Sequence, residues 1–497
     1  MTTALASDSI IAVIGAGTMG AGIAQVAAQA GHSVWLVDQD INVSEAAIAK
    51  LATGLEKLVG RGKISAEQAA NTIANIKPTA DQHDLVGTSL VIEAIVENRN
   101  IKHQVFAGLM GICGAECIYA SNTSSIPIAD IAEGLEYPEQ MVGMHFFNPA
   151  QIMKLVEVIS GKRTSAKVAD TVYHTAVAWN KVAVHATDTP GFIVNRVARP
   201  FYAEALRMVS EGMGDYATID TVMREAGGFR MGPFELMDLI GHDVNYAVTD
   251  LVSEALYHPL FEVSPIQKAL VDKGDLGRKT GRGYYDYSTD LPKLTNTALA
   301  NTTGQLIISD SDDDAVLSPL WQRLANAGIA SKSGKTTCFN DLQLQLHSGA
   351  PLDEAATATV AFDIALDLTS CTALACQRNQ ACSDTQFQAL ANAFAAAGIF
   401  LIEMPNQAGL PVGRTVAMLT NVAADAVDKQ VCSLEDADKA MRYGVNYPQG
   451  PFIWADQLSP TWVHTTLANL AHHVCASRYA ENDWIAKHVI EQRNFYA

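Results

Sequence analysis

The sequence predicts an α/β Rossmann-type domain followed by two copies of an all-α domain, with a small α/β domain between them. Three observations carry this: an apolar strand that runs into a glycine-rich turn, a change from strand–helix alternation to long helices past Ser160, and a helical pattern that occurs twice.

Ile10–Ile14 is a short apolar run of the buried parallel kind and leads straight into Gly15-Ala16-Gly17-Thr18-Met19-Gly20. Gly15 permits the tight turn, Gly17 lets a pyrophosphate approach the backbone with Thr18 and Met19 beside it, and Gly20 lets helix pack on strand. A helix from Met19 to Ala30 is predicted to turn its free N–H groups toward the phosphates, and Gly31 ends it. Ser33–Val37 forms the second strand and ends at Asp38. That carboxylate is placed to accept from adenine-ribose hydroxyls and would repel a 2′-phosphate, which favours NAD over NADP. The glycine pattern alone is weak evidence; strand, glycines, helix, strand and acid in this order are strong.

The chain has 497 residues, enough for two to four domains, and a formal net charge of -19. The negative balance argues against nucleic acid or an anionic membrane as partner and requires a local basic cluster for any anionic substrate. No apolar run approaches the roughly 20 residues that span a bilayer. The N-terminus lacks a cleavable hydrophobic region, so a cytoplasmic location is expected. The eight cysteines are scattered, and Cys371, Cys376 and Cys382 lack CxxC spacing, so reduced thiols and no metal are expected.

Leu90–Glu97 reads as a strand ending in an acid, followed by a helix that begins near Asn100 and includes Lys102. Ligands sit at the carboxyl ends of strands in such a sheet, so Glu97 should face the cofactor cleft. The strand Cys117–Ala120 leads into Ser121-Asn122-Thr123-Ser124-Ser125, a hydroxyl-rich loop that reads as a helix N-cap, as a surface facing the nicotinamide, or as both. His145 closes a short strand, a turn with Pro149 follows, and Glu157 stands in the middle of the next strand. Adjacent strands would set Glu157 against one imidazole nitrogen and leave the other free as a base near neutral pH. The flanking Leu155, Val156, Val158 and Ile159 imply a buried carboxylate in need of a partner.

Asp188–Tyr202 reads as a turn closed by Pro190-Gly191 and a helix whose first turn carries Asn195 and Arg196. Taken with Gly15–Asp38, Ser121–Ser125, His145–Pro149, Glu157, Gly232–Gly241 and Arg278–Tyr285, this segment resembles the L-3-hydroxyacyl-CoA dehydrogenase family, over about residues 8 to 287. The resemblance implies reversible, NAD-dependent oxidation of an (S)-3-hydroxyacyl-CoA without a metal. It makes His145 the general base, Glu157 its orienting partner, and Ser124 and Asn195 polar contacts to the 3-hydroxyl and thioester region. Asn148 would support the same site, Glu97 would lie near the nicotinamide ribose, and Arg61 with Lys102 would face the nucleotide part of CoA. A solvated charged face is the other reading of Lys57, Arg61 and Lys63. Two competing functions share the fold: a 6-phosphogluconate-type hydroxy-acid dehydrogenase, which would use a catalytic lysine, and a non-enzymatic NAD-binding structural or sensor protein.

Helices are expected at Val194–Gly212, Thr218–Gly227 and from Pro233 to Ile240. Arg196–Asp238 can be laid over Arg414–Asp456 at a constant offset of 218, which puts Asp220 on Asp438 and Gly232-Pro233-Phe234 on Gly450-Pro451-Phe452. Gly413 takes the place of Asn195, so the second copy is expected to be degenerate. Between the copies, Gln305–Ile308, Thr359–Phe362 and Gly398–Ile402 read as strands of a domain without a dinucleotide fingerprint, to which no cofactor is assigned. Asp310–Asp314 reads as a solvated loop, with a metal site as the alternative. The expected domains are residues 8–187, 188–290, 291–405 and 406–497. The tandem helical domains resemble the bacterial 3-hydroxyadipyl-CoA and 3-hydroxybutyryl-CoA branches of the family, which implies a place in phenylacetate or fatty-acid metabolism. Val416, Leu419 and Val422 are expected to pair the two helical copies within one chain, and a homo-oligomer remains open.

Overall fold

The computed structural model describes residues 3–309, 315–354 and 356–497, so the Asp310–Asp314 run lies outside the described residues. The chain forms two compact units, Met1–Val194 with Lys429–Val445, and Asn195–Asp428 with Asn446–Ala497.

The first unit is built on β1 (Ile10–Ile14), β2 (Ser33–Val37), β3 (Ile76–Thr79), β4 (Leu90–Glu93), β5 (Ile118–Ser121), β6 (Met141–Phe146), β7 (Leu155–Ser160) and β8 (Val182–Thr187). They form one sheet in the order β3-β2-β1-β4-β5-β6-β7-β8, with β6 and β7 antiparallel and every other neighbour parallel. The order reverses between β1 and β4, the place where such sheets open a ligand crevice at their carboxyl ends. Strand alternation divides the core. Ile11 and Val13 join the face under the helix Thr18–Gln29, while Ala12 and Ile14 join Phe106, Leu109 and Met110 of the helix Arg99–Cys113 on the other.

Two boundaries differ from the sequence reading. β4 stops at Glu93, which leaves Glu97 in the following loop. The alternation also persists past Ser160, since the helix Ala166–Ala178 leads into β8. Apolar content alone did not separate that helix and strand from the helical segment beyond.

Part of the second helical copy belongs to this unit. The helix Leu434–Gly444 packs on β7 and β8. The His185 N–H donates to Asp436 Oδ2 at 3.3 Å, and the Thr187 N–H to the Val431 carbonyl at 2.8 Å. Gly444 lets the helix approach closely, because a Cβ there would stand 2.6 Å from Leu155 Cδ2 and 3.0 Å from Val194 Cγ2.

In the second unit the expected helix Val194–Gly212 is two, Val194–Val197 and Arg199–Ser210, interrupted at Ala198 where Pro200 supplies no N–H. The helix Pro411–Asp428 packs on Arg199–Ser210 and buries Val416, Leu419 and Val422. Charge reinforces the pair. Arg414 is fully buried, with Nε donating to Glu204 at 2.8 Å and its terminal nitrogens to Glu211 at 2.6 and 3.0 Å. Its counterpart in the first copy, Arg196, pairs with Asp425. Each copy thus offers its arginine to acids of the other, an isologous arrangement inside one chain.

The small domain carries β9 (Gln305–Ser309), β10 (Ala330–Gly334), β11 (Cys338–Phe339), β12 (Leu342–Leu346), β13 (Thr359–Phe362), β14 (Ala373–Arg378) and β15 (Phe400–Glu403), in the order β10-β9-β11-β12-β13-β14-β15. Four of these were absent from the sequence reading. β10 is a polar edge strand, and β11 is two residues long; neither leaves an apolar signal. Among the described residues, no helix is long and apolar enough to cross a membrane.

Deleting residues 409–497 uncovers both the helix Arg199–Ser210 and the outer edge of the first sheet. The truncated chain is expected to aggregate or dimerise in size-exclusion chromatography with light scattering; a soluble, monomeric, fully active fragment would refute a stabilising role.

Candidate active site

The glycine turn and the β4 end define the crevice. Gly15 has φ +101° and a Cβ there would lie 2.7 Å from the Ala94 carbonyl oxygen; a Cβ at Gly20 would lie 1.8 Å from that of Gly15. Neither position accepts a side chain. At Gly17 a Cβ would meet nothing within 4 Å, so this face of the turn is open. Gly17 is the N-cap of Thr18–Gln29 and no side chain caps that helix. Its first N–H groups are therefore available to a diphosphate, beside exposed Thr18 and half-buried Met19. Asp38 Oδ2 accepts from the Ala16 N–H at 3.0 Å, which fixes the carboxylate against the turn at the end of β2. These residues fit NAD.

At the carboxyl ends of β4 and β5 lies a network that the sequence reading described only in part. Glu93, fully buried, accepts from Lys102 Nζ at 2.6 Å, Ser121 Oγ at 2.7 Å and the Ile95 N–H at 2.8 Å. Lys102 Nζ also reaches Glu97 at 3.2 Å. Glu97 in turn accepts from Thr123 Oγ1 at 2.7 Å, Ser125 Oγ at 2.8 Å, and Ser124 through its N–H at 3.0 Å and its hydroxyl at 3.4 Å. Burial opposes charge on Glu97, but the Lys102 ammonium and these donors outweigh it and hold the carboxyl below its ordinary range.

Two expectations change. Lys102 does not face a CoA nucleotide: its side chain is 1 % exposed and the ammonium is closed off by two carboxylates, because a buried cation must be paired. The 121–125 hydroxyls do not cap the next helix. The carboxylate of Asp188 does so, accepting from the N–H groups of Ile128 and Ala129 at 2.9 and 2.7 Å. Arg61 is exposed at the end of the helix Ile41–Gly60, as a solvated side chain would be. The sequence reading did not single out Glu93, the centre of this network; its signal was an acid inside an apolar strand.

β6 and β7 bring together the central pair. Their antiparallel register sets His145 directly opposite Glu157. The imidazole Nδ1 lies 2.7 Å from Glu157 Oε2, and the other carboxylate oxygen accepts from the N–H groups of Ile193 and Val194 at 3.0 and 2.9 Å. These two donors come from the turn after Pro190-Gly191, where Phe192 adopts φ 46°. Phe147 and Phe192 flank the imidazole, with ring centroids 4.5 and 5.9 Å away. With a proton on Nδ1 facing the carboxylate, Nε2 presents a lone pair and has no protein partner among the described residues. Asn122 Oδ1 holds the Phe146 N–H at 2.8 Å and so ties the hydroxyl loop to the end of β6. The exposed Asn148 follows, in a loop anchored by Lys181 Nζ on the carbonyls of Ala150 and Met153 at 2.5 and 2.8 Å. Burial pulls the Lys181 ammonium down to about 8. Asn195, partly buried, begins the second unit.

The repeat extends further back than residue 196. At the same offset Asp363 stands for His145, Ala375 for Glu157 and Gly413 for Asn195. The local geometry agrees, since β13 and β14 are antiparallel and the Asp363 N–H donates to the Ala375 carbonyl at 2.9 Å. Asp363 accepts from the N–H groups of Val412 and Gly413, each at 2.8 Å. The second copy keeps a carboxylate that holds its following helix and has no imidazole.

Residues 10–189 match the NAD binding domain of 3-hydroxyacyl-CoA dehydrogenase, residues 191–287 and 409–495 its C-terminal domain, and residues 350–406 the reduced Rossmann-fold domain of 3-hydroxybutyryl-CoA dehydrogenase. The chain belongs to the 3-hydroxyacyl-CoA dehydrogenase family. It is an NAD-dependent oxidoreductase of that class. This dehydrogenase is 38% identical to 3-hydroxyadipyl-CoA dehydrogenase of Escherichia coli K12 over 94% of its own length and 95% of the relative's. It is 40% identical to 3-hydroxybutyryl-CoA dehydrogenase of Clostridioides difficile over 56% of its length and 99% of the relative's. The crystal structure of 3-hydroxybutyryl-CoA dehydrogenase from Escherichia coli K12 matches with a TM-score of 0.89 at 35% identity, covering 97% of this chain and 98% of that one.

Replacing Lys102 by Met removes the cation that pairs with buried Glu93. The variant is expected to lose about 3–5 kcal/mol in urea unfolding, the usual consequence of removing one partner of a buried pair. Unchanged stability with weaker acyl-CoA binding would restore the nucleotide-facing role.

Proposed function

We propose that this dehydrogenase oxidises (S)-3-hydroxyacyl-CoA with His145 as general base. The observation that carries the reading is the His145–Glu157 pair, in which every oxygen of the carboxylate is engaged and one imidazole nitrogen is left open. His145 Nε2 takes the proton of the 3-hydroxyl as the C3–O bond gains double-bond character. NAD, when bound, supplies the acceptor for the hydride that leaves C3, so the products are the 3-oxoacyl-CoA, NADH and an imidazolium. Glu157 keeps Nδ1 protonated and stabilises that imidazolium; in the reverse direction the imidazolium returns the proton to the 3-oxygen. Ser124 and Asn195 serve as donors where negative charge grows on the substrate oxygens, and Asn148 supports the loop that follows His145. Glu97 orders the hydroxyl loop and reaches toward the nicotinamide ribose. Arg61 is an exposed cation available to the CoA nucleotide.

The acyl chain we propose is 3-hydroxyadipyl, with 3-hydroxybutyryl as the second choice, in phenylacetate or fatty-acid metabolism in the cytoplasm. Its support is the adipyl relative, which matches along nearly the whole chain, small domain and second helical copy included. Each chain should hold one NAD and one acyl-CoA, since the second copy has Asp363, Ala375 and Gly413 where the first has His145, Glu157 and Asn195.

His145→Gln is expected to fold, bind NADH by fluorescence titration, and lose at least about 10²-fold in kcat. Near-normal turnover would remove His145 from the mechanism. Glu157→Gln should approach the same loss and change the pH dependence of kcat/KM, because the imidazolium loses its ionised partner. A lower rate with an unchanged profile would assign Glu157 to structure alone.

A further inference from the structure

A cavity of about 320 Å³ lies within the second unit, lined by one face of the helix Arg199–Ser210, by Thr249, by Glu262–Pro265 with Gln267, and by Arg478. Three guanidinium groups and two carboxylates border it, and the charges do not close. Glu211 is engaged by Arg414, Glu262 by Arg478 at 3.4 Å, and Arg207 by Glu204 at 2.5 Å and the Leu260 carbonyl at 2.6 Å. Arg199 is the guanidinium left over. It is 5 % exposed, yet its hydrogen bond is to a neutral hydroxyl, Thr249 Oγ1 at 3.0 Å, and its Nε is buried without a partner. The face of Tyr202 lies 4.9 Å from its Cζ. Burial pulls its pKa down, so the fold works against this charge instead of stabilising it.

An unpaired buried cation is expensive, and arginine cannot escape the penalty by losing its proton. Its planar fork matches a carboxylate in two parallel hydrogen bonds. Position along the chain says which carboxylate. Asn195 and Arg199 are four residues apart, a rise of about 6 Å along a helix, and fall on the same face. The intervening Ala198 keeps helical angles (φ -78°, ψ -9°), so the register holds across the interruption. Tyr202, Ala203 and Leu206 continue that face along the cavity wall. In the second helical copy the place of Arg199 is taken by Ala417, just as that of Asn195 is taken by Gly413.

We propose that Arg199 receives a carboxylate at the distal end of the acyl chain, which makes this cavity a specificity subsite for ω-carboxylated 3-hydroxyacyl-CoA. The inference rests on the reading of Asn195 as a substrate contact. An acyl chain held there at its thioester end needs only a short run of methylenes to reach the guanidinium one turn on. Arg199 suits the terminal anion, and the Tyr202 ring packed against the guanidinium holds the fork in place.

The test uses two substrates of equal chain length, (S)-3-hydroxyadipyl-CoA and (S)-3-hydroxyhexanoyl-CoA, with the full-length enzyme. The wild type is expected to favour the adipyl compound in kcat/KM. Arg199→Met should reduce the adipyl-to-hexanoyl ratio by roughly 10²-fold, as expected when a buried charge loses its partner. Arg199→Lys, which keeps the charge and loses the fork, should give a smaller drop in the ratio and serves as the deciding variant if the methionine protein does not fold. A loss shared equally by both substrates, in either variant, would mark Arg199 as structural and overturn the subsite. So would wild-type turnover of both compounds without discrimination, which leaves the dehydrogenase reading standing. Turnover of neither would refute that reading and the subsite with it. Thermal stabilisation by inorganic phosphate that Arg199→Met abolishes, with the substrate ratio unchanged, would assign the cavity to free anions and also overturn the proposal.

Discussion

The first unit depends on what one buried carboxylate accepts. Glu157 takes His145 on one oxygen and the N–H groups of Ile193 and Val194 on the other. Three separate pieces of backbone, β6, β7 and the turn at Phe192, are thereby brought to one point. A fully buried carboxylate with a missing donor is costly, so each of the three holds the other two in place. The positive φ of Phe192 persists because the two amides that follow it are engaged. Gly444 adds a constraint from behind, since a Cβ there would crowd Leu155 and Val194 and force their side chains to shift.

The second copy separates mechanics from chemistry. Asp363 reproduces the anchoring of a helix N-terminus by a buried carboxylate, from the strand position that His145 occupies in the first copy. Burial pushes its pKa up to about 7, against three backbone donors that favour the charged form. The fold thus retains the clamp where it has no imidazole. The charged contacts between the two helical copies, Arg414 with Glu204 and Glu211 and Arg196 with Asp425, give the degenerate copy a structural reason to persist.

The acidic cluster at the ends of β4 and β5 shows how a residue type can be legible and its role not. Lys102 was visible in the sequence as a cation on the helix after β4, and the family resemblance assigned it to the nucleotide part of CoA. What decides its role is Glu93, nine residues earlier on a strand, with an ammonium at 2.6 Å and a hydroxyl from β5 at 2.7 Å. The lysine braces Glu97, which in turn holds Ser124 of the hydroxyl loop.

The sequence by itself determined β1 and β2, the glycine turn, Asp38 and the helix beginning at Pro233, because each is specified by short-range chemistry: apolar period, glycine conformations and the fixed φ of proline. It also pointed to the pairing of His145 with Glu157, since a charged residue inside an apolar run must find a partner. It left open β8, four strands of the small domain, the inclusion of Lys429–Val445 in the first unit, and the unpaired state of Arg199. Those depend on groups tens to hundreds of positions apart, such as Ile193 on Glu157 or Arg414 on Glu204. Hydrogen-bond satisfaction and charge pairing at such separations are settled by packing, which only the tertiary structure supplies.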